Sequence, residues 1–124
     1  MATILIVEDD PHAANIFNRV LRRAGHTVLI AHTGLDGARA AGEHPVDLVL
    51  LDMNLPGLGG HTIAALIKRI PFDIVIVAVS ASTDPAVKQR AREYGCQGCI
   101  TTPIDTRTFA AELAQYLPTR KEEA

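Results

Sequence analysis

Acidic side chains stand at the ends of two apolar runs, where they can do chemistry. Glu8, Asp9 and Asp10 follow Thr3–Val7, and Asp52 follows Asp47–Leu51. A carboxylate is a nucleophile able to accept a phosphoryl group. Carboxylates drawn from separate strands repel one another unless a cation lies between them. Hard oxygen ligands at a water-accessible rim suit Mg²⁺, which binds through one or two carboxylates and keeps several waters. Ser80 and the pair Thr101-Thr102 end two further apolar runs, so hydroxyl and backbone N–H donors are available to the transferred oxygens. Asp10 stands apart from this set. Asp10-Pro11 has the form of a helix N-cap followed by proline in the first turn, and capping is its expected role.

Two other arrangements carry less. Cys96 and Cys99 form a C-x-x-C, the spacing of a redox dithiol or of half a zinc site. A redox pair opens a helix, whose N-terminus lowers the thiol pKa, whereas this pair falls before and inside a strand. No second ligand pair stands nearby at zinc-site spacing, so the expectation is two small buried cysteines. Gly57-Leu58-Gly59-Gly60 lacks the G-x-G-x-x-G spacing of a dinucleotide loop and is expected to serve a turn before a helix.

The elements that must hold these residues alternate. Strands are expected over Thr3–Val7, Thr27–Ala31, Asp47–Leu51, Asp73–Ala78 and Gln97–Thr101. The first, third and fourth are nearly continuous Ile, Leu and Val, the pattern of strands buried on both faces of a parallel sheet. Apolar spacing predicts helices over Pro11–Ala24, Leu35–Glu43, Gly60–Ile70, Asp84–Tyr94 and Asp105–Leu117, the second being Ala-rich and the weakest. Ile63, Leu66, Ile67 and Ile70 form the stripe of the third. Asp84-Pro85 repeats the cap signature. Gly25 and Gly95 follow helix ends, where a left-handed residue is common, and Pro71 and Pro118 stop the third and fifth helices. Strand–helix alternation with right-handed crossovers gives an α/β, doubly wound parallel sheet with helices on both faces. Ligands of such folds bind beyond the carboxyl ends of the strands, where Glu8, Asp9, Asp52, Ser80 and Thr102 fall.

Composition narrows the classes. The 124 residues are 48% hydrophobic and 21% charged with a net charge of −2, ordinary values for a globular protein. One domain is expected over residues 1–118, with a short polar tail over 119–124. No long basic run marks a nucleic-acid surface, and no apolar stretch approaches the ~20 residues of a membrane-spanning helix. The acids at 8–10 interrupt the first apolar run and no basic segment precedes it, so no signal peptide is expected and the location read from the sequence is cytoplasmic.

Four segments then fall into one pattern: Ile4-Leu5-Ile6-Val7-Glu8-Asp9-Asp10-Pro11, Leu50-Leu51-Asp52-Met53-Asn54-Leu55-Pro56-Gly57 followed by Gly60, Val79-Ser80-Ala81, and Gly95-Cys96 with Ile100-Thr101-Thr102-Pro103. Together they resemble the receiver domains of two-component response regulators, over nearly the whole chain and with matching spacings. The resemblance implies a flavodoxin-like sheet of strand order 2-1-3-4-5 with five helices. It implies Mg²⁺-dependent phosphorylation of Asp52 by a histidine kinase or a histidine phosphotransfer protein. By position, Asp9 resembles the direct metal ligand and Glu8 the partner acid that often acts through a metal-bound water. The backbone carbonyl of Asn54 completes the protein ligands, Ser80 resembles the switch hydroxyl, and the Ala81 N–H lies beside it. The implied protein is a signalling switch, not a turnover enzyme on a separate substrate. It docks on a downstream protein through the face of the fourth helix, fifth strand and fifth helix.

Two positions depart from the family. Thr102 stands where the family carries lysine, and a hydroxyl hydrogen-bonds without neutralising charge. Cys99 stands where many relatives carry an aromatic ring that moves with the switch hydroxyl. The expectation is that phosphorylation survives and its coupling to shape is weakened. A second reading stays open: a phosphorylation-independent interaction module on the same fold. A phosphatase with a separate substrate would want an acid where Asn54 stands. The bond matching Thr102-Pro103 is often cis in the family.

Overall fold

The computed structural model describes residues 2–55, 57 and 59–117. In chain order it runs β1 (Thr3–Val7), α1 (Pro11–Arg23), β2 (Thr27–Ala31), α2 (Gly34–Glu43), β3 (Leu48–Asp52), α3 (Gly60–Lys68), β4 (Val75–Ser80), α4 (Pro85–Glu93), β5 (Gly98–Thr101) and α5 (Phe109–Ala114). The strands form one five-stranded sheet in the order β2-β1-β3-β4-β5. Every neighbouring pair is parallel. The expected fold class and strand order are the observed ones. Pro118 and the tail over 119–124 lie outside the described residues.

Period-two alternation divides the core into two layers. Leu5, Val7, Val49, Leu51, Ile76 and Ala78 pack with Ile63 and Ile67 of α3 and Ala91 of α4 on one face. Their neighbours Ile4, Ile6, Leu48, Leu50, Val77 and Val79 pack on the other face with α1 and α5. There the rings of Phe17 and Phe109 stack with centroids 5.4 Å apart. The central strands are apolar throughout because both their faces are covered. The edge strand β2 instead mixes buried Val28 and Ala31 with exposed Thr27 and Ile30.

Helix ends follow their local chemistry. Asp10 and Asp84 cap α1 and α4, accepting from the N–H of His12 and Ala86 at 3.0 Å each. Gly25 and Gly95 take φ of +98° and +99° just past α1 and α4, a backbone region where a side chain is disfavoured.

Several boundaries differ from the sequence expectation. β3 starts at Leu48 because the Asp47 carboxylate turns to accept from the Thr3 N–H at 2.8 Å. β4 starts at Val75 and runs on to Ser80, held there by its pairing with Thr101 of β5. α5 starts at Phe109, not Asp105, because Asp105 Oδ1 accepts from the Arg107 N–H at 2.9 Å, closing a turn before the helix. α3 stops at Lys68. Leu66 of its expected stripe is 37% exposed, since Ile63 and Ile67, four apart, already fill the contact with the sheet.

Candidate functional site

Strand register brings the acids together. β1 and β3 pair Ile6 with Leu50 and Val7 with Leu51. The next residues along are Glu8 and Asp52, on strands about 4.8 Å apart. The same parity that carries Ile6 and Leu50 to the α1–α5 side carries these two acids there as well. The Glu8 backbone is tied to β2: its N–H donates to the Ala31 carbonyl at 3.0 Å, and its own carbonyl lies 3.1 Å from His32 Nδ1. Asp9 follows at the turn into α1. One carboxylate oxygen from each of Glu8, Asp9 and Asp52 lies within 4.8 Å of the others. Among the described residues no other cluster of His, Cys, Asp or Glu meets that geometry.

The environment is graded. Glu8 is 7% exposed and is the only buried polar or charged side chain among the described residues. Asp52 is half-buried and Asp9 exposed. Burial pushes the Glu8 carboxyl up to about 7, opposed by the Asp10 N–H and assisted by the charges of Asp52 and Asp9. That N–H donates to Glu8 Oε2 at 3.2 Å. Burial also raises Asp52 above its ordinary range, against the Asn54 N–H that donates to Asp52 Oδ1 at 2.9 Å. Both carboxyls are thus raised, burial being the largest cause for each and the negative charge of the neighbouring acids adding to it. Such a cluster is relieved by a proton or by a cation. Three hard oxygen donors, one of them exposed to water, fit a small divalent cation that keeps part of its hydration.

The loop after Asp52 is held at both ends. The Met53 N–H donates to the Val79 carbonyl at 3.1 Å. At the start of α3, a Cβ on Gly60 would lie 2.7 Å from the Met53 Cα, so only glycine allows the chain to turn this tightly behind the acid. Gly57 has a φ of +80°, and Gly59 is the N-cap of α3, as expected of a turn-forming glycine stretch; Leu58 lies outside the described residues.

The remaining expected residues surround the rim at different depths. Ser80 is half-buried, and its Oγ accepts from the Ser82 N–H at 3.1 Å. Ala81 is exposed and its N–H makes no hydrogen bond to another described residue. Thr102 is half-buried at the end of β5, its N–H donating to the Ser80 carbonyl at 2.9 Å, and the Thr102-Pro103 bond is cis. Asn54 is exposed. Asp10 serves its cap. Cys96 is buried and Cys99 half-buried, and both are free thiols. Burial pushes Cys96 up to about 11 and raises Cys99, the opposite of what a reactive dithiol needs.

The sequence reading did not single out His61 and Arg90. Both line a cavity beside the rim with Asn54, Ser80 and Ser82. A signal was present: Val87, Arg90, Ala91 and Tyr94 have the i, i+3, i+4, i+7 spacing of one helix face.

Comparison with known proteins agrees with this architecture. Residues 4–114 match the family described as response regulator receiver domain. The transcriptional regulatory protein KdpE of Mycobacterium tuberculosis is 34% identical over 113 residues, covering 91% of this chain and 50% of that protein. The chain therefore spans about half the length of that relative. The polar-differentiation response regulator DivK of Brucella ovis is 28% identical over 117 residues, covering 93% of this chain and 95% of DivK. The chemotaxis protein CheY4 of Vibrio cholerae shares the fold with a TM-score of 0.86 at 24% identity, covering 94% of this chain and 99% of that one. No helix among the described residues is long and apolar enough to cross a membrane. With its sheet order, its acidic rim and a match from residue 4 to residue 114, this chain belongs to the response regulator receiver domain family of two-component systems.

Proposed function

We propose that the chain is a phosphoacceptor switch: Asp52 takes a phosphoryl group from a histidine kinase or a histidine phosphotransfer protein. The observation that carries this reading is the convergence of Glu8, Asp9 and Asp52 within 4.8 Å at the carboxyl rim of a receiver sheet. Glu8, Asp9, Asp52 and the backbone carbonyl of Asn54 would hold Mg²⁺. When bound, Mg²⁺ supplies the positive charge that lets an anionic donor approach an anionic nucleophile.

The chain's own residues do the rest. Asp52 attacks phosphorus through a carboxylate oxygen. The P–N bond of a phosphohistidine breaks, its electron pair returning to the ring nitrogen, as the new P–O bond forms. The Asn54 N–H already engages Asp52 Oδ1, which fixes the carboxylate for attack by the other oxygen. The Ala81 N–H, which bonds to no other described residue, and the Ser80 hydroxyl are the donors for the phosphoryl oxygens. Ser80 Oγ accepts from the Ser82 N–H, which leaves its own O–H to donate to the phosphoryl group. The Thr102 hydroxyl adds a hydrogen bond without a charge. The signal passes to a downstream protein through α4, β5 and α5, and no separate substrate is turned over. Thr102 and Cys99 motivate the second reading, an interaction module that works without phosphorylation.

Trapping separates the two. After incubation with acetyl phosphate and Mg²⁺, borohydride reduction of an aspartyl phosphate leaves homoserine, which peptide mass spectrometry locates. Homoserine at position 52 is the expected result. Folded protein with an unmodified Asp52 selects the interaction module.

A further inference from the structure

Beside the acidic rim, on the α4 side, lies a cavity of about 430 Å³. Asn54, Ser80 and Ser82 form its polar wall, and Arg90 enters from α4. His61 and Tyr94 close the far side with their ring centroids 4.9 Å apart.

The charge balance of the site calls for a cation there. The rim holds three carboxylates. A divalent ion offsets only part of that charge, and conversion of the Asp52 carboxylate to an acyl phosphate replaces its one negative charge with about two. Thr102, at the end of β5, brings none. Elsewhere the described cations are engaged or remote. Arg19, Arg22, Arg23 and Arg107 line a groove between α1 and α5. Arg39 pairs with Asp36. Lys68 donates to the Ile74 carbonyl at the opposite end of the sheet, and Arg69 follows it there. Lys88 and Arg92 line a separate cavity beside β5. Arg90 is the one described lysine or arginine that lines the cavity shared with Asn54 and Ser80, and it has no ion-pair partner among the described residues.

We infer that Arg90 is the cation that pairs with the phosphoryl group carried by Asp52, reaching it through this cavity from α4. The inference rests on the phosphoacceptor reading. A guanidinium is well matched to a phosphoryl group, because it stays charged, its flat fork fits phosphate oxygens, and its long stem spans a cavity. Arg90 is exposed, so engaging an anion breaks no existing ion pair. The position also has a consequence for signalling. A cation on β5 would draw the charge toward the sheet, whereas Arg90 draws α4 toward Asp52 and couples the phosphoryl group to that helix.

Adduct formation with acetyl phosphate and Mg²⁺ is followed by intact mass for the wild type, Arg90→Ala, Arg92→Ala and Arg90→Ala combined with Thr102→Lys. Arg92→Ala makes the same charge change on the other side of α4 and is expected to behave as wild type. Arg90→Ala is expected to accumulate adduct roughly tenfold more slowly, and Thr102→Lys to recover most of that loss. Equal rates for Arg90→Ala and Arg92→Ala overturn the assignment. If the wild type forms no adduct, the phosphoacceptor reading is what fails. The Arg90 site is then read from inorganic phosphate titrated into Asp52→Asn protein with Mg²⁺, followed by amide shifts. Shifts at Ser80 and Ser82 that vanish with Arg90→Ala support the site. Shifts that persist without Arg90, or no shifts at all, overturn it.

Discussion

Glu8 governs how the site behaves when no cation is bound. Its folded-state pKa of about 7 lies above its ordinary value of 4.5. The folded protein therefore binds more protons than the unfolded chain between those two values, and stability falls as pH rises through that window. Asp52 is raised as well and adds to the same slope. In chelator, the unfolding free energy is expected to drop by on the order of 1–2 kcal/mol from pH 4.5 to pH 7 through this pair. Glu8→Gln, which stays neutral, should flatten most of the slope in urea titrations. Mg²⁺ should raise the melting temperature more at pH 8 than at pH 5, because at low pH protons compete for the same carboxylates. A slope unchanged in Glu8→Gln would remove Glu8 from this role. The acids were legible in the sequence because each follows an apolar strand, and strand ends are where this fold gathers its ligands. Arg90 was legible only as a member of one face of α4, because the cavity that it shares with Asn54 and Ser80 is formed by residues far apart in the sequence.

Among the secondary-structure elements, small residues mark where a helix lies closest to the sheet or to its neighbouring helix. α2 looked the weakest helix from its sequence, yet Gly34, Gly37 and Ala41 are all buried. A Cβ on Gly37 would lie 2.7 Å from Val7 Cγ2, and one on Gly34 would lie 2.6 Å from Ile63 Cγ1. The lack of a bulky apolar stripe is thus the signature of close approach. Gly37→Ala sets two effects against each other. Helix propensity favours alanine by up to ~1 kcal/mol, while overpacking against a side chain that cannot move costs about 1–3 kcal/mol. Val7 is fully buried, so net destabilisation is expected, read as a lower urea midpoint with an unchanged slope. A rise in the midpoint would mean that α2 has room to shift. Gly60→Ala should act differently, by displacing Met53 and with it the Asn54 N–H that holds Asp52. It is expected to slow adduct formation by more than its loss of stability accounts for, measured by adduct rates under conditions where the variant is fully folded. The type and order of every element were legible from apolar periodicity and cap residues. The boundaries at Asp47 and Asp105 were not, because those carboxylates bind backbone N–H groups and end the regular structure.

Across the whole molecule, the two faces of the sheet divide the work. The face carrying α1 and α5 buries Ile4, Ile6, Leu48 and Leu50, and its parity delivers Glu8 and Asp52 to each other. The opposite face carries α3 and α4 and opens at the rim into the cavity lined by Ser80 and Arg90. In the proposed phosphorylated state, a phosphoryl group on Asp52 would lie where the two meet, and its pairing with Arg90 would carry the charge to α4 without a lysine on β5 or an aromatic ring at Cys99. The sequence indicated the sheet and its acidic rim, while the balance of charge around that rim needed the packed molecule. Phosphoacceptor chemistry at Asp52 is decided by intact-mass analysis after incubation with acetyl phosphate, with Mg²⁺ or chelator and an Asp52→Asn control. The expected outcome is a single labile phosphoryl adduct that requires both Mg²⁺ and Asp52. An adduct that persists in chelator or on the Asp52→Asn protein would refute that chemistry, as would no adduct on folded wild-type protein.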